Sequence, residues 1–159
     1  MAEYAFVTRW SFNASIERVW KKIADAEHWP TWWEYVRRVE VVEPGSELGV
    51  GRVLRTTWRT RLPYSLTIDV RSKIVDPPHY LEAYADGDLV GRGIWRLRQV
   101  DDVTDVRCDW EVRTTKWWMN LLAPVARPLF AWNHTCVMKA GEEALRKLVE
   151  TDKGSSNKA

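Results

Sequence analysis

Residues 117–150 read WWMNLLAPVARPLFAWNHTCVMKAGEEALRKLVE, and this stretch decides the fold. Phe130, His134, Val137, Met138, Gly141, Leu145 and Leu148 recur at steps of three or four, so they share one helix face. At ~1.5 Å per residue, Phe130 to Leu148 spans roughly 27 Å, enough to cross a small domain. Ahead of that stripe, Trp117–Trp132 holds paired tryptophans and Pro124 and Pro128, but only one charge, Arg127. A proline removes a backbone donor and crowds the preceding turn. The spacing therefore predicts two parts: a proline-broken, tryptophan-rich entry to about Ala126, then a regular helix.

Upstream, the period is two over most of the chain. Leu54, Thr56, Trp58, Thr60 and Leu62 alternate with Arg55, Thr57, Arg59 and Arg61, which predicts a strand from about Gly51 to Leu62. Leu66, Ile68, Val70 and Ile74 alternate with polar partners in the next. Tyr80–Ala85 follows, then Leu89–Arg98 with Trp95 on its drier side. Val106, Cys108, Trp110, Val112 and Thr114 mark the last. Tyr4–Phe12 is a first strand, and Val39–Val41 begins a second. Between them lie two short helices: one with Ile16, Val19, Trp20 and Ile23 on its apolar face, capped by Asn13 or Ser15, and another over Glu27–Val36. The turn clusters between strands are short, so the sheet is an antiparallel meander of about seven strands with one dry face. The C-terminal helix is the large apolar element left to cover it. The fold class is α+β: a curved antiparallel sheet wrapped around a long C-terminal helix.

The 159 residues fit one domain over 1–150, followed by a polar tail (151–159) read as disordered. Lys and Arg number 24 against 22 Asp and Glu, which excludes a strongly basic chain. The outward arginines share their face with Asp69, Asp109 and Glu111, a solvated and paired surface rather than a nucleic-acid interface. Two cysteines, Cys108 and Cys136, lack disulfide-framework or metal-ligand spacing, and no metal or nucleotide motif occurs. No cofactor is expected. The first ten residues carry charge and no apolar core, so no signal peptide is read, and a cytoplasmic setting is expected.

The order and spacing of LPYSLTIDV (62–70), VDPPHYLE (75–82), GDLVGRGIW (87–95), DWEVRTTKWWM (109–119) and PLFAWNHTCVM (128–138) resemble the START/Bet v 1-like superfamily (SRPBCC), in its polyketide cyclase/dehydrase-type branch. The resemblance covers nearly the whole chain and implies the helix-grip fold. It also implies a cavity between sheet and helix that holds an apolar or aromatic, lipid- or polyketide-like molecule.

Within that frame His134 is the sharpest chemical candidate, because an imidazole moves protons near neutral pH; the alternative is a packing histidine. Neighbouring Asn133 lies about 100° round the helix, so the two are not expected to point inward together. Glu82 and Tyr84 share one face of their strand and would serve as base and hydrogen-bond donor if they turn inward. Leu81, Ala83 and Ala85 form an equally good inner face, and periodicity does not choose between them. Trp58, Trp95, Trp110, Phe130 and Met138 would line the ligand site, with Thr56 and Thr114 supplying hydroxyls. Three functions follow: a binder of an apolar small molecule, a polyketide cyclase or dehydratase using His134, or an interaction module built on Trp117–Trp132. Monomer and homodimer are both compatible with this reading, as is transient membrane contact through Trp117 and Trp118.

Overall fold

The computed structural model describes residues 2–150; the tail read as disordered lies outside them. Seven strands form one antiparallel sheet: β1 (Glu3–Phe12), β2 (Val36–Glu43), β3 (Val53–Arg59), β4 (Ser65–Asp76), β5 (Tyr80–Gly87), β6 (Leu89–Val100) and β7 (Val103–Thr114). Their order is β1-β7-β6-β5-β4-β3-β2, so β2 to β7 form a meander and β1 closes onto the last strand. Helix α1 (Ile16–Ala24) and a 3-10 segment (Ala26–Thr31) carry the chain from one sheet edge to the other. Helix α2 (Trp117–Glu150) lies against the inner face. This is the helix-covered antiparallel sheet that the alternation predicts, and the helix-grip architecture that the resemblance implies.

Local chemistry sets the boundaries. Ser15 caps α1, its hydroxyl accepting from the Arg18 amide at 3.4 Å. The second helix is shorter than its sequence suggests: only the 3-10 segment Ala26–Thr31, with Pro30 inside it, forms, and Val36 already belongs to β2. β3 stops at Arg59 rather than Leu62, ahead of the bend at Pro63. In β4 a bulge between Ser72 and Ile74 shifts the register. Ser72, in phase with Ile68 and Val70, is buried, and beyond the bulge Val75 packs inward while Ile74 turns out to solvent at 44 % exposure. A bulge adds one residue and so inverts every side chain beyond it.

The largest departure is α2, which continues as one helix through both prolines. Pro124 and Pro128 are one helical turn apart and both exposed. The carbonyls that lose a donor therefore lie on the solvent side, where water can replace the bond. The buried stripe ends on Val149, with Leu148 only half-buried beside it.

The core has two parts. One gathers Trp10, Phe12, Val19, Ile23, Trp33 and Val106 against the C-terminal half of α2, through Val137, Leu145 and Val149. The other sets Tyr4, Ile68, Leu89 and Val112 against its N-terminal half, through Met119, Ala123 and Phe130. Trp33 locks the first part: its indole N–H donates to the Val137 carbonyl at 2.9 Å. A Cβ on Gly141 would sit 2.5 Å from that indole, so the close approach requires glycine. Polar ties fasten both helix ends. Asn120 Oδ1 accepts from the Ala2 amide and the Thr114 hydroxyl, while Glu150 Oε1 accepts from the Asn13 amide. On the outer face Arg55 pairs with Asp69, Arg92 with Glu111, and both Arg96 and Arg107 with Asp109.

Candidate functional site

A cavity of about 220 Å³ lies between the sheet and α2, and both core clusters contribute to its walls. The inward positions of β3, β4, β6 and β7 supply one wall, because the period of two places every second side chain there. Phe130, Asn133, His134, Val137 and Met138 of α2 supply the other. Glycine at Gly93 makes room across the sheet for the Trp110 ring, which a Cβ would meet at 2.8 Å.

The two ends differ in chemistry. At one end indoles pack on one another: Trp33 with Trp29 and with Trp58 at 5.2 Å between centroids, and Trp95 with Trp29 at 6.4 Å. Three of these four polar edges are satisfied within the protein, that of Trp33 through the Val137 carbonyl. Trp29 donates to the Lys22 carbonyl, and Trp58 donates to Thr56 Oγ1 at 3.0 Å. What they leave for an occupant is ring surface. At the other end the His134 ring stacks on Phe6 at 4.0 Å and 11°, while Tyr4 and Tyr64 meet Phe130 edge-on.

Burial drives the titratable groups that shape this end toward their neutral forms. It pulls the His134 imidazole down to about 4. It likewise pushes the Tyr64 phenol up to about 12 and raises Tyr4, against a smaller opposing pull from Arg127. The Cys108 thiol is also pushed up by burial. Desolvation disfavours the charged form in each case. The Tyr4 hydroxyl is buried without a hydrogen-bond partner. The cationic member of the lining is Arg52, whose guanidinium donates to the Ala24 carbonyl at 2.9 Å and lies 3.7 Å from Glu27. Among the described residues no three His, Cys, Asp or Glu side chains gather as a metal site.

Trp58, Trp95, Trp110, Phe130, Met138, Thr56, Thr114 and His134 all line this cavity. The two threonine hydroxyls are engaged internally, however: Thr56 donates to the Ile68 carbonyl at 3.0 Å and Thr114 to Asn120 at 2.6 Å. Glu82 and Tyr84 are not brought to the site. The inner face of β5 is the small apolar one, with Ala83 in the cavity wall and Ala85 in the core. Glu82 is buried on the outer face, where it accepts from the Tyr80 hydroxyl at 2.7 Å, and Tyr84 is exposed with Lys73 over its ring. Asn133 corrects the helical-wheel expectation, since it is buried and lines the cavity together with His134. The cavity wraps more of the helix than a single stripe. Tyr4, Phe6, Trp29, Trp33 and Tyr64 also belong to the lining, beyond the residues that the sequence pattern marks. For Tyr4 and Phe6 the i, i+2 spacing on β1 is the available signal; Tyr64 lies in the loop between β3 and β4, where no period exists.

Solved structures share this architecture. Zhui aromatase/cyclase from Streptomyces sp. R1128 superposes with a TM-score of 0.80 at 16 % identity, over 99 % of this chain and 100 % of that one. A START superfamily protein from Mycobacterium smegmatis gives 0.72 at 16 % identity, over 92 % and 97 %. Norcoclaurine synthase from Thalictrum, solved as a point mutant with a transition-state analogue, gives 0.64 at 17 % identity, over 96 % and 97 %. At these identities the likeness concerns the fold. No curated protein sequence matches. The family model described as "Polyketide cyclase / dehydrase and lipid transport" matches residues 5–150, nearly all of the folded chain, and the protein belongs to that family.

Proposed function

We propose that this protein binds a small apolar molecule carrying one or two rings, polyketide- or lipid-like, between its sheet and α2. The observation that carries the reading is the cavity itself: aromatic walls, the Trp29, Trp33 and Trp58 indole N–H groups already bonded, and a His134 imidazole that burial keeps neutral. Its size bounds the occupant. An apolar cavity of ~150 Å³ accommodates benzene, so about 220 Å³ suits a slightly larger ring system and excludes a two-chain lipid unless the walls part. The names of similar structures, among them aromatase/cyclases and a START superfamily protein, agree with this class of occupant.

A second reading, a cyclase or dehydratase, rests on His134 facing the cavity. With a pKa near 4 the imidazole is neutral at pH 7, with about one molecule in a thousand protonated. It is a weak base and a scarce acid there, which favours binding over proton transfer. Ring closure by confinement of a flexible chain would need little more than the cavity walls.

The test is to denature protein purified from its own cells and identify co-purifying small molecules by mass spectrometry, then to titrate the stripped protein with that compound. A bound quinone, polyketide or lipid fragment supports the reading. Absence of any co-purifying compound, together with no saturable binding of 1-naphthol as a ring-bearing probe, would sink it. His134→Ala then divides the two readings: lost turnover with retained affinity assigns catalysis, and unchanged turnover removes the histidine from it.

A further inference from the structure

The N-terminal half of α2 carries a second apolar face that the cavity does not use. Trp117, Leu121, Leu122, Val125, Leu129 and Trp132 are all exposed, Trp117 at 75 % and Val125 at 85 %. At ~100° per residue they fall within an arc of roughly 140°, opposite Met119, Ala123 and Phe130 in the core. A contiguous face of this kind is too large to be incidental surface. Among the described residues no helix is long and apolar enough to cross a membrane.

Charge identifies what covers it. From Val112 to Gly141 the chain holds Arg113, Lys116, Arg127 and Lys139 and not one carboxylate. Arg113 and Lys116 flank the start of the stripe, and the exposed Lys139 lies beyond its end. The nearby acids belong to other elements. Asp88 pairs with Lys116 at 3.4 Å, and Arg127 donates to the Glu3 main-chain carbonyl and lies over the Tyr4 ring. Arg113, Arg127 and Lys139 hold no ion pair among the described residues, and a second copy packed about a twofold axis would set these cations against one another with no carboxylate on the stripe to meet them. A surface of anionic lipid headgroups supplies the missing charge, and tryptophans at both ends of the stripe suit the headgroup layer.

We infer that this stripe is a docking face for an anionic lipid bilayer, on which Trp117–Trp132 lies in the interfacial plane over roughly 22 Å of helix. The opposite side of the same turns walls the cavity through Met119 and Phe130. Docking would therefore place the apolar site next to the bilayer; that use of the contact rests on the ligand reading above, while the contact itself does not.

The experiment is flotation of the full chain with vesicles of phosphatidylcholine alone or with about one-third phosphatidylglycerol. Expected is co-flotation with the anionic vesicles, at least about fivefold weaker with phosphatidylcholine alone or when salt is raised from about 50 to 500 mM. The exposed-site triple variant Trp117→Ser, Leu121→Ser, Val125→Ser should lose at least about tenfold while keeping its circular dichroism and melting temperature. Flotation of wild type and variant to the same extent would overturn the proposal, as would no flotation at all. So would a micromolar dimer, seen by sedimentation velocity, that ignores vesicles and dissociates in the variant. Titration with 1-naphthol in vesicle-free buffer reads the cavity independently, so failure of one proposal is not failure of the other.

Discussion

The two halves of α2 differ both in how apolar they are and in what surrounds them. From Asn133 to Glu150 one face is buried under Trp33, Val19 and β1, and the other carries Lys139, Glu142, Glu143, Arg146 and Lys147. From Trp117 to Trp132 both faces are apolar, one against the sheet and one against solvent. The C-terminal half follows the rule for a surface helix, with an apolar stripe toward the core and charge outside. The N-terminal half departs from it, and departures of this kind tend to mark function rather than stability.

The contrast is sharpest for a single chemical change made twice, once in each half. Leu145 is 0 % exposed, and Leu145→Ala should destabilise the protein by about 2–5 kcal/mol, read from urea midpoints. A loss below about 1 kcal/mol would mean that the C-terminal half is not the anchored one.

His134 sits near the junction, and its burial makes a pH prediction. The folded pKa is near 4, below the unfolded value near 6.5, so between these values the unfolded chain binds more protons. Stability contributed by keeping this imidazole neutral is present in full above about pH 6.5 and falls as pH drops toward 4. The loss amounts to at most about 3 kcal/mol. His134→Gln should flatten this part of the profile; an unchanged slope would assign it to other groups.

The prolines offer a smaller effect of the opposite sign. Pro124→Ala restores an amide donor to the Asn120 carbonyl and a better helix former, offset by a less restricted unfolded chain. A stabilisation of about 1 kcal/mol is expected, with slower amide exchange in the first turns of α2. Destabilisation instead would show that the proline shape is needed for packing. Smallest of all, Leu121→Ala, at a site 70 % exposed, should stay within about 0.5 kcal/mol of wild type by the same urea assay. A large loss would place Leu121 in an interface already formed in solution.

Much of the site is legible in the chain itself. Trp58, Trp95 and Trp110 sit on strands whose other face carries arginines, and alternation alone sends them inward. Where the pattern misleads, the causes are identifiable. Ile74 reads as inward because a bulge leaves no mark in a period-two pattern. Glu82 and Tyr84 are undecidable from the pattern because both faces of β5 are plausible. The small residues face in, and the carboxylate is sheltered outside by the Tyr80 hydroxyl at 2.7 Å. Tyr64 and Trp29 come from the β3–β4 loop and a 3-10 segment, where side-chain direction follows from tertiary packing.

The seven strands, the helix that covers them and the aromatic character of the space between are all legible in the chain. Each of these follows from local periodicity, which the backbone geometry turns directly into faces. Long-range packing is what lets α2 run unbroken through Pro124 and Pro128, since whether a freed carbonyl meets water or protein depends on what surrounds the helix. It decided likewise that His134 is buried against Phe6 and neutral, because desolvation depends on neighbours distant in the chain. The exposed stripe of Trp117–Trp132 belongs to both: its apolar residues are plain in the chain, but which of them face solvent is settled where the other side of the helix meets the sheet.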